Sequence, residues 1–83
     1  MNRKELIDLA RSQYISDKHF AELAKLSDWY IRWLVADNPI TPLKVLIELS
    51  KDRNDKVRKK AKAHLATLAH SKTRIFLCTN KTY

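Results

Sequence analysis

Glycine is absent from all 83 residues of this chain, and the absence removes several possibilities at once. Without it there is neither a phosphate-cradling P-loop nor a dinucleotide-binding turn. Tight hairpins also lose the residue they lean on for positive φ. The natural consequence is an all-helical chain whose helices stop at Asn, Asp or Pro. A single cysteine, Cys78, rules out an intrachain disulfide and leaves a thiolate zinc or iron-sulfur site without a second sulfur. No run approaches the ~20 apolar residues of a membrane span. The opening residues MNRKELIDLARSQ interleave charge with apolar groups, where a secretory signal would be continuously apolar. A reducing, cytoplasmic setting is expected. His19, His64 and His70 show no i, i+4 pairing and no H-E-x-x-H. No Ser-His-Asp or Cys-His spacing stands out, and a chain of this size has little room to bury such a set. No metal, cofactor or enzymatic activity is therefore expected.

What the chain does have is positive charge. Lys and Arg number 17 against 9 Asp and Glu, for a net charge of +8, a surplus that attracts nucleic acid, anionic lipid or an acidic protein patch. The length fits one small domain, residues 1–83, near the size where a single core only just outweighs the entropy of ordering the chain.

The only two prolines lie in one stretch, ADNPITPLK, Ala36 to Lys44. The residue before Pro39 is pushed out of the helical region, so a helix running through WYIRWLVAD is expected to end at Asn38, which tolerates a left-handed terminal conformation. Thr41 then reads as the cap of the next helix, with Pro42 at its first position, where no amide donor is missed. N-P-I-T-P is thus a stop followed by a start. Around it, Leu6, Ile7, Leu9 and Ala10 mark a leading amphipathic helix, and Ser16 caps a second with Phe20, Leu23 and Ala24 as its stripe. Ser27 or Asp28 caps the third, Leu43, Leu46, Ile47 and Leu49 form the buried stripe of the fourth, and Asp55 caps a fifth from about Lys56 to His70, with Val57, Ala61, Leu65 and Leu68 inward. The tail SKTRIFLCTNKTY has no helical stripe, and Ile75, Phe76 and Leu77 are expected in a short extended segment or a mobile end.

The chain also resembles itself under a constant shift. Laying Phe20–Ala36 over Leu46–Lys62 puts Glu22 on Glu48, Leu23 on Leu49, Ile31 on Val57, Arg32 on Arg58 and Val35 on Ala61. Two copies of one helix pair behind a leading helix account for the chain: residues 1–15 lead, 16–41 and 42–70 are the repeats, and 71–83 the tail. Ile31, Arg32, Val35, Ala36, Asn38, Pro39, Thr41, Pro42, Leu46, Leu49, Ser50, Asp52, Val57 and Arg58 fall on V-R-x-x-V-A-x-N-P-x-T-P-x-x-x-L-x-x-L-A-x-D, and over Phe20 to Ala61 the chain resembles the leucine-rich repeat variant family. The resemblance implies a small right-handed helical-repeat solenoid with a binding role, close to HEAT repeats. It makes Arg32, Asn38, Pro39, Thr41, Pro42 and Asp52 the structural repeat positions. An iron-sulfur protein is associated with the family, but its cysteine cluster is missing here, so that chemistry is not carried over. After Ala61 the pattern departs: A-H-L stands where a second N-P belongs, and the last helix is expected to run on as a cap.

Three groups of residues are candidates for a role beyond the core. Trp29 and Trp33 sit at i and i+4 with Tyr30 beside them, and Ile31 and Val35 lie opposite. A helix apolar around most of its circumference is expected to be sandwiched between neighbours, so these rings read as core, an exposed aromatic patch being the other reading. Arg32 and Arg58 read as rungs of an internal ladder, bonded to Asp52, Asp28 or helix-end carbonyls, with phosphate contact as the functional alternative. The segment KDRNDKVRKKAKAH carries the candidate partner-binding residues Arg53, Lys56, Arg58, Lys59, Lys60 and Lys62. Several of these cations crowd a helix N-terminus that already favours anions, and a plain solvated face is the alternative.

Two functions follow from the residue pattern, and a third, a membrane-surface or RNA-associating basic protein, follows from charge alone. One is a small helical-repeat interaction module that binds a protein or polyanionic partner through the basic face. The other is a helix-turn-helix DNA-binding protein, with Ala24, Asp28 and Leu34 at the offsets of such units. The bulky aromatics on the would-be reading helix, and Asp where glycine is usual, weaken the second. Apolar groups at both ends of a two-unit stack lead further to an expected homodimer, or to a partner bound at one end.

Overall fold

A computed structural model describes residues 2–80, with side chains described for residues 2–68. The described residues form five helices and no strand: α1 (Arg3–Ala10), α2 (Asp17–Leu23), α3 (Trp29–Asp37), α4 (Leu43–Leu49) and α5 (Asp55–Asn80). The all-α expectation and the breaks near Ser16, Ser27, N-P-I-T-P and D-R-N-D are therefore met.

Local chemistry sets each helix start. Asn2, Asp28 and Asn54 each offer a side-chain oxygen to an amide of the first turn, at 2.8 Å to Glu5, 3.0 Å to Tyr30 and 2.9 Å to Lys56. These caps satisfy donors that the helix itself leaves orphaned. The fifth helix is thus capped by Asn54, and Asp55, the expected cap, is its first helical residue. The shorter helices α2 and α4 start differently: Ser16 and Pro42 stand at the cap position without a side-chain bond to the backbone. Ser16 Oγ instead lies 2.9 Å from His19 Nδ1.

The N-P-I-T-P turn departs from expectation in two details. Asn38 ends α3 in an extended conformation (φ −70°, ψ 123°) and not a left-handed one, because the following proline leaves it only the extended region. Pro42, not Thr41, occupies the cap position of α4. Thr41 is buried, and its hydroxyl donates back to the Val35 carbonyl near the end of α3, which also accepts from the Asn38 amide. No described residue has positive φ, so the lack of glycine costs the backbone nothing.

The helix starts are evenly spaced. The step from Arg3 of α1 to Trp29 of α3 equals the step from Trp29 to Asp55 of α5, and the step from Asp17 of α2 to Leu43 of α4 is the same again. The α3 helix is central and packs against all four others, and α5 also packs along α4. The core between them holds Ala10, Phe20, Leu23, Ile31, Leu34, Val35, Ala36, Val45, Leu49, Val57 and Ala61, with Leu6, Ile7 and Leu9 of α1 half-buried against it. Burying this set is the main favourable contribution to folding a chain so short.

Two expectations about packing change. On α4 the buried side chains are Val45, Leu46 and Leu49, while Leu43 and Ile47 are exposed. The helix buries only the side that faces α3 and α5. The C-terminal segment, expected to be extended or mobile beyond about His70, continues α5 as helix to Asn80. No glycine or proline interrupts it. The packing of Ile75, Phe76 and Leu77 lies outside the described side chains. Among the described residues no helix is long and apolar enough to cross a membrane.

Candidate functional site

Arg32 is the one buried charged side chain among the described residues. Its side chain is 4% exposed, with Nε 2.7 Å and Nη2 3.0 Å from the two carboxylate oxygens of Asp52, a bidentate pairing. Nη1 donates to the carbonyls of Leu26 at 2.8 Å and Ser27 at 3.0 Å, which close the turn after α2. Burial pushes the Asp52 carboxyl upward, but hydrogen bonds from Arg32 and from the Asn54 amide outweigh it, and the group titrates below its ordinary value.

Arg58 repeats half of this arrangement. Its Nη1 donates to the carbonyls of Asp52 at 2.9 Å and Arg53 at 3.4 Å, six and five residues back, as for Arg32. Its Nη2 pairs with Asp55. Both arginines thus have intramolecular partners, Arg32 buried and Arg58 half-buried, and Arg58 leaves the set of freely presented cations. The carboxylate partner of Arg32 proves to be Asp52; Asp28 instead receives Arg3 at 2.6 Å. That hydrogen bond, chiefly, lowers the Asp28 carboxyl and raises the Arg3 guanidinium.

The remaining predicted cations separate by position. Arg53, Lys56, Lys59 and Lys62 are exposed, and Lys60 is half-buried. Lys59 lies 3.6 Å from Asp55, and Lys60 lies 2.9 Å from Asp37. Lys56 has no carboxylate within ion-pair reach among the described residues.

The larger surprise is the aromatic trio. Trp29 and Tyr30 are each 37% exposed, while Trp33 is half-buried and packs against the core as expected, so the three rings form a partly exposed row along the first turns of α3. The core side of α3 is taken by Ile31, Leu34, Val35 and Ala36. Tyr30 stacks on Trp33 with centroids 6.2 Å apart and planes 8° from parallel, and Trp29 meets Tyr30 edge to face at 6.0 Å.

Neighbouring helices lay cations on these rings. From α1, the Arg3 guanidinium sits 5.6 Å from the Tyr30 centroid. From α5, Lys56 lies 5.1 Å from Trp29 and Lys60 lies 5.2 Å from Trp33. The i, i+4 spacing of Trp29 and Trp33 matches that of Lys56 and Lys60 on the next helix, so the two pairs meet side by side. Each such contact at an exposed site is worth about 0.5–1 kcal/mol, too little to hold a long side chain against a better partner. A shallow depression lined by Trp29, Tyr30, Trp33 and Lys56 marks the centre of the row. The spacing of the two tryptophans was the sequence signal for this surface. The side of α3 left outward was not readable, because the helix is apolar nearly all round.

No group of three or more potential metal ligands occurs among the described residues. Comparison of the chain with protein-family models, with curated proteins and with solved structures finds no match.

Proposed function

We propose that the chain is a small right-handed helical-repeat solenoid of the leucine-rich repeat variant type, acting as an interaction module that binds a negatively charged partner through its basic face, and not as an enzyme. Support for the repeat reading comes from the even spacing of the helix starts and from the matching carbonyl contacts of Arg32 and Arg58. The binding reading is carried by one observation: Lys56 and Lys60 of α5 lie against a partly exposed aromatic row, and exposed Lys59 and Lys62 add to the positive charge of the same helix, in a chain of net charge +8. A surface of that kind concentrates polyanions.

The helix-turn-helix alternative is disfavoured by the position of α3. A reading helix must project into a major groove, whereas α3 packs against all four other helices. The expected homodimer finds support at a different surface from the stack end, where Leu6, Ile7 and Leu9 are half-buried against the core: exposed Ile40, Leu43 and Ile47 leave the α4 side for a second copy to cover.

The test is retention on immobilised heparin across a salt gradient, with Lys56, Lys59 and Lys62 reversed to Glu. Binding that weakens with salt and is largely lost in the triple variant is expected. No retention of the parent chain at low salt, or equal retention of the variant, removes the reading. Sedimentation at high micromolar concentration tests the second copy, which a strictly monomeric species excludes.

A further inference from the structure

We propose that single-stranded nucleic acid is the polyanion, bound across α3 with its bases stacked on Trp29, Tyr30 and Trp33 and its phosphates held by cations of α1 and α5; this rests on the reading above and specifies the partner. Counted from their evenly spaced starts, corresponding positions are Arg3, Lys4 and Ile7 on α1, Trp29, Tyr30 and Trp33 on α3, and Asp55, Lys56 and Lys59 on α5. An aromatic row therefore lies between two rows that supply cations. Arg3 and Lys4 are exposed on one side, and Lys56 and Lys59 on the other.

This order of groups matches the chemistry of an unpaired strand, which offers flat apolar base faces on one edge and a line of negative charge on the other. Base stacking on aromatic side chains is tolerant of sequence, because every base has a π-face. A duplex presents phosphates but keeps its base faces covered, and an acidic peptide presents charge with no flat rings to use the row. Only the unpaired strand engages both halves of the surface.

The present contacts suit an exchange. Arg3, Lys56 and Lys60 now lie against the ring faces. Each is a long flexible side chain, so a base arriving on a ring displaces a cation onto an adjacent phosphate, and neither group is left unpartnered. Asp28, Asp37 and Asp55 also border the row and hold Arg3, Lys60 and Lys59. Lys56, with no such carboxylate among the described residues and seated over Trp29, is the cation most available to the strand.

The two tryptophans of the chain are both in the row, so their intrinsic fluorescence reports the site directly. The full chain is titrated with a 12-nucleotide single strand, an abasic strand of equal length and charge, a 12-base-pair duplex, polyglutamate and heparin. Expected are quenching by the base-bearing strand and about tenfold tighter binding of it than of the abasic strand. Trp29→Ala and Tyr30→Ala, both at exposed positions, should lower affinity for the base-bearing strand by about fivefold or more each and leave the abasic strand and heparin unchanged. Trp33→Leu, checked for retained helicity, should do the same. Lys56→Gln should reduce the salt slope for the strand by about 0.7. Equal binding of base-bearing and abasic strands, unaffected by the aromatic variants, overturns the inference while the basic-face reading stands. Preference for the duplex, or polyglutamate that quenches as strongly as the strand, also overturns it. Absence of binding to every polyanion removes both readings together.

Discussion

Asn38 and His64, separated by the same step as the helix starts of α3 and α5, tie their segments to preceding helices in the same way. Asn38 Nδ2 donates to the Ala10 carbonyl at 2.9 Å, and His64 Nδ1 lies 3.0 Å from the Ala36 carbonyl, each acceptor 28 residues earlier in the chain. The A-H-L that interrupts the expected second N-P therefore keeps the hydrogen bond and drops only the turn. Asn38 does more than His64. It also donates to the Ser12 carbonyl at 2.8 Å and accepts from the Ile40 amide at 3.1 Å.

His64→Asn is accordingly expected to stay within about 1 kcal/mol of the parent, because the amide can reproduce the one bond made. Asn38→Ala should cost about 2–4 kcal/mol, since it strands two carbonyls and an amide in and around the core. Denaturant melts of the two variants measure the difference. Equal effects would sever the proposed equivalence of the two positions.

Arg32 and Asp52 should behave as a unit. Removing either side chain alone leaves a buried charge uncompensated, and Arg32→Ala or Asp52→Ala is expected to destabilise by about 3–5 kcal/mol. One step of the repeat earlier, Leu6 and Leu26 occupy the corresponding positions and line one small cavity. An apolar pair therefore already stands in that place elsewhere in the fold. Arg32→Leu combined with Asp52→Leu should be more stable than either single alanine variant, the remaining loss coming from the Leu26 and Ser27 carbonyls and the Asn54 amide left without these partners. A double variant less stable than both singles would show the ion pair to be indispensable.

Stability should fall in acid, with a sign fixed by Asp52. Its carboxyl titrates lower in the folded chain than in the unfolded one. The unfolded state thus binds more protons between the two values, and stability rises with pH across that window. The contribution is complete above the ordinary carboxyl value of about 3.9 and is lost as pH falls through the lower folded value. Asp28 shifts in the same direction but lies at the surface, where screening weakens it. Urea midpoints from pH 7 to 2 should show this loss, and Asp52→Asn should flatten it. An unchanged pH slope in that variant would assign the acid sensitivity to other groups.

Thr41 and Pro42 separate cleanly by their roles. Thr41→Val keeps the shape of the buried side chain but removes the donor to Val35, and is expected to cost about 1–3 kcal/mol. Thr41→Ser, which keeps the hydroxyl, should cost less. Pro42→Ala removes only chain stiffening, on the order of 0.5–1 kcal/mol. Calorimetric melts in which Thr41→Val matches the parent would show that the hydroxyl contributes nothing to the turn.

Much of the fold was legible because it rests on neighbours in the chain. The stop at Asn38 follows from the adjacent Pro39, the cap at Asp28 from its own amide-accepting side chain, and the helical class from the missing glycine. The near misses were of the same local kind. Asn54 and Asp55 are both good caps one residue apart, and the backbone beyond them decides which one is used.

The sequence by itself determined the element order, the period of the helix starts, the sign of the charge and the pairing potential of Arg32. Tertiary structure alone decided which ring faces water and which cation is spent inside the fold. The reason is physical: Trp29, Tyr30 and Trp33 share a helix that is apolar on nearly every side, so its outward face exists only once α1 and α5 have docked beside it. Arg58 and Lys56, two residues apart and equally charged in the sequence, part company for the same reason. The carbonyls of Asp52 and Arg53 take one guanidinium toward the turn, while Trp29, on a different helix, holds the ammonium of Lys56 at the surface.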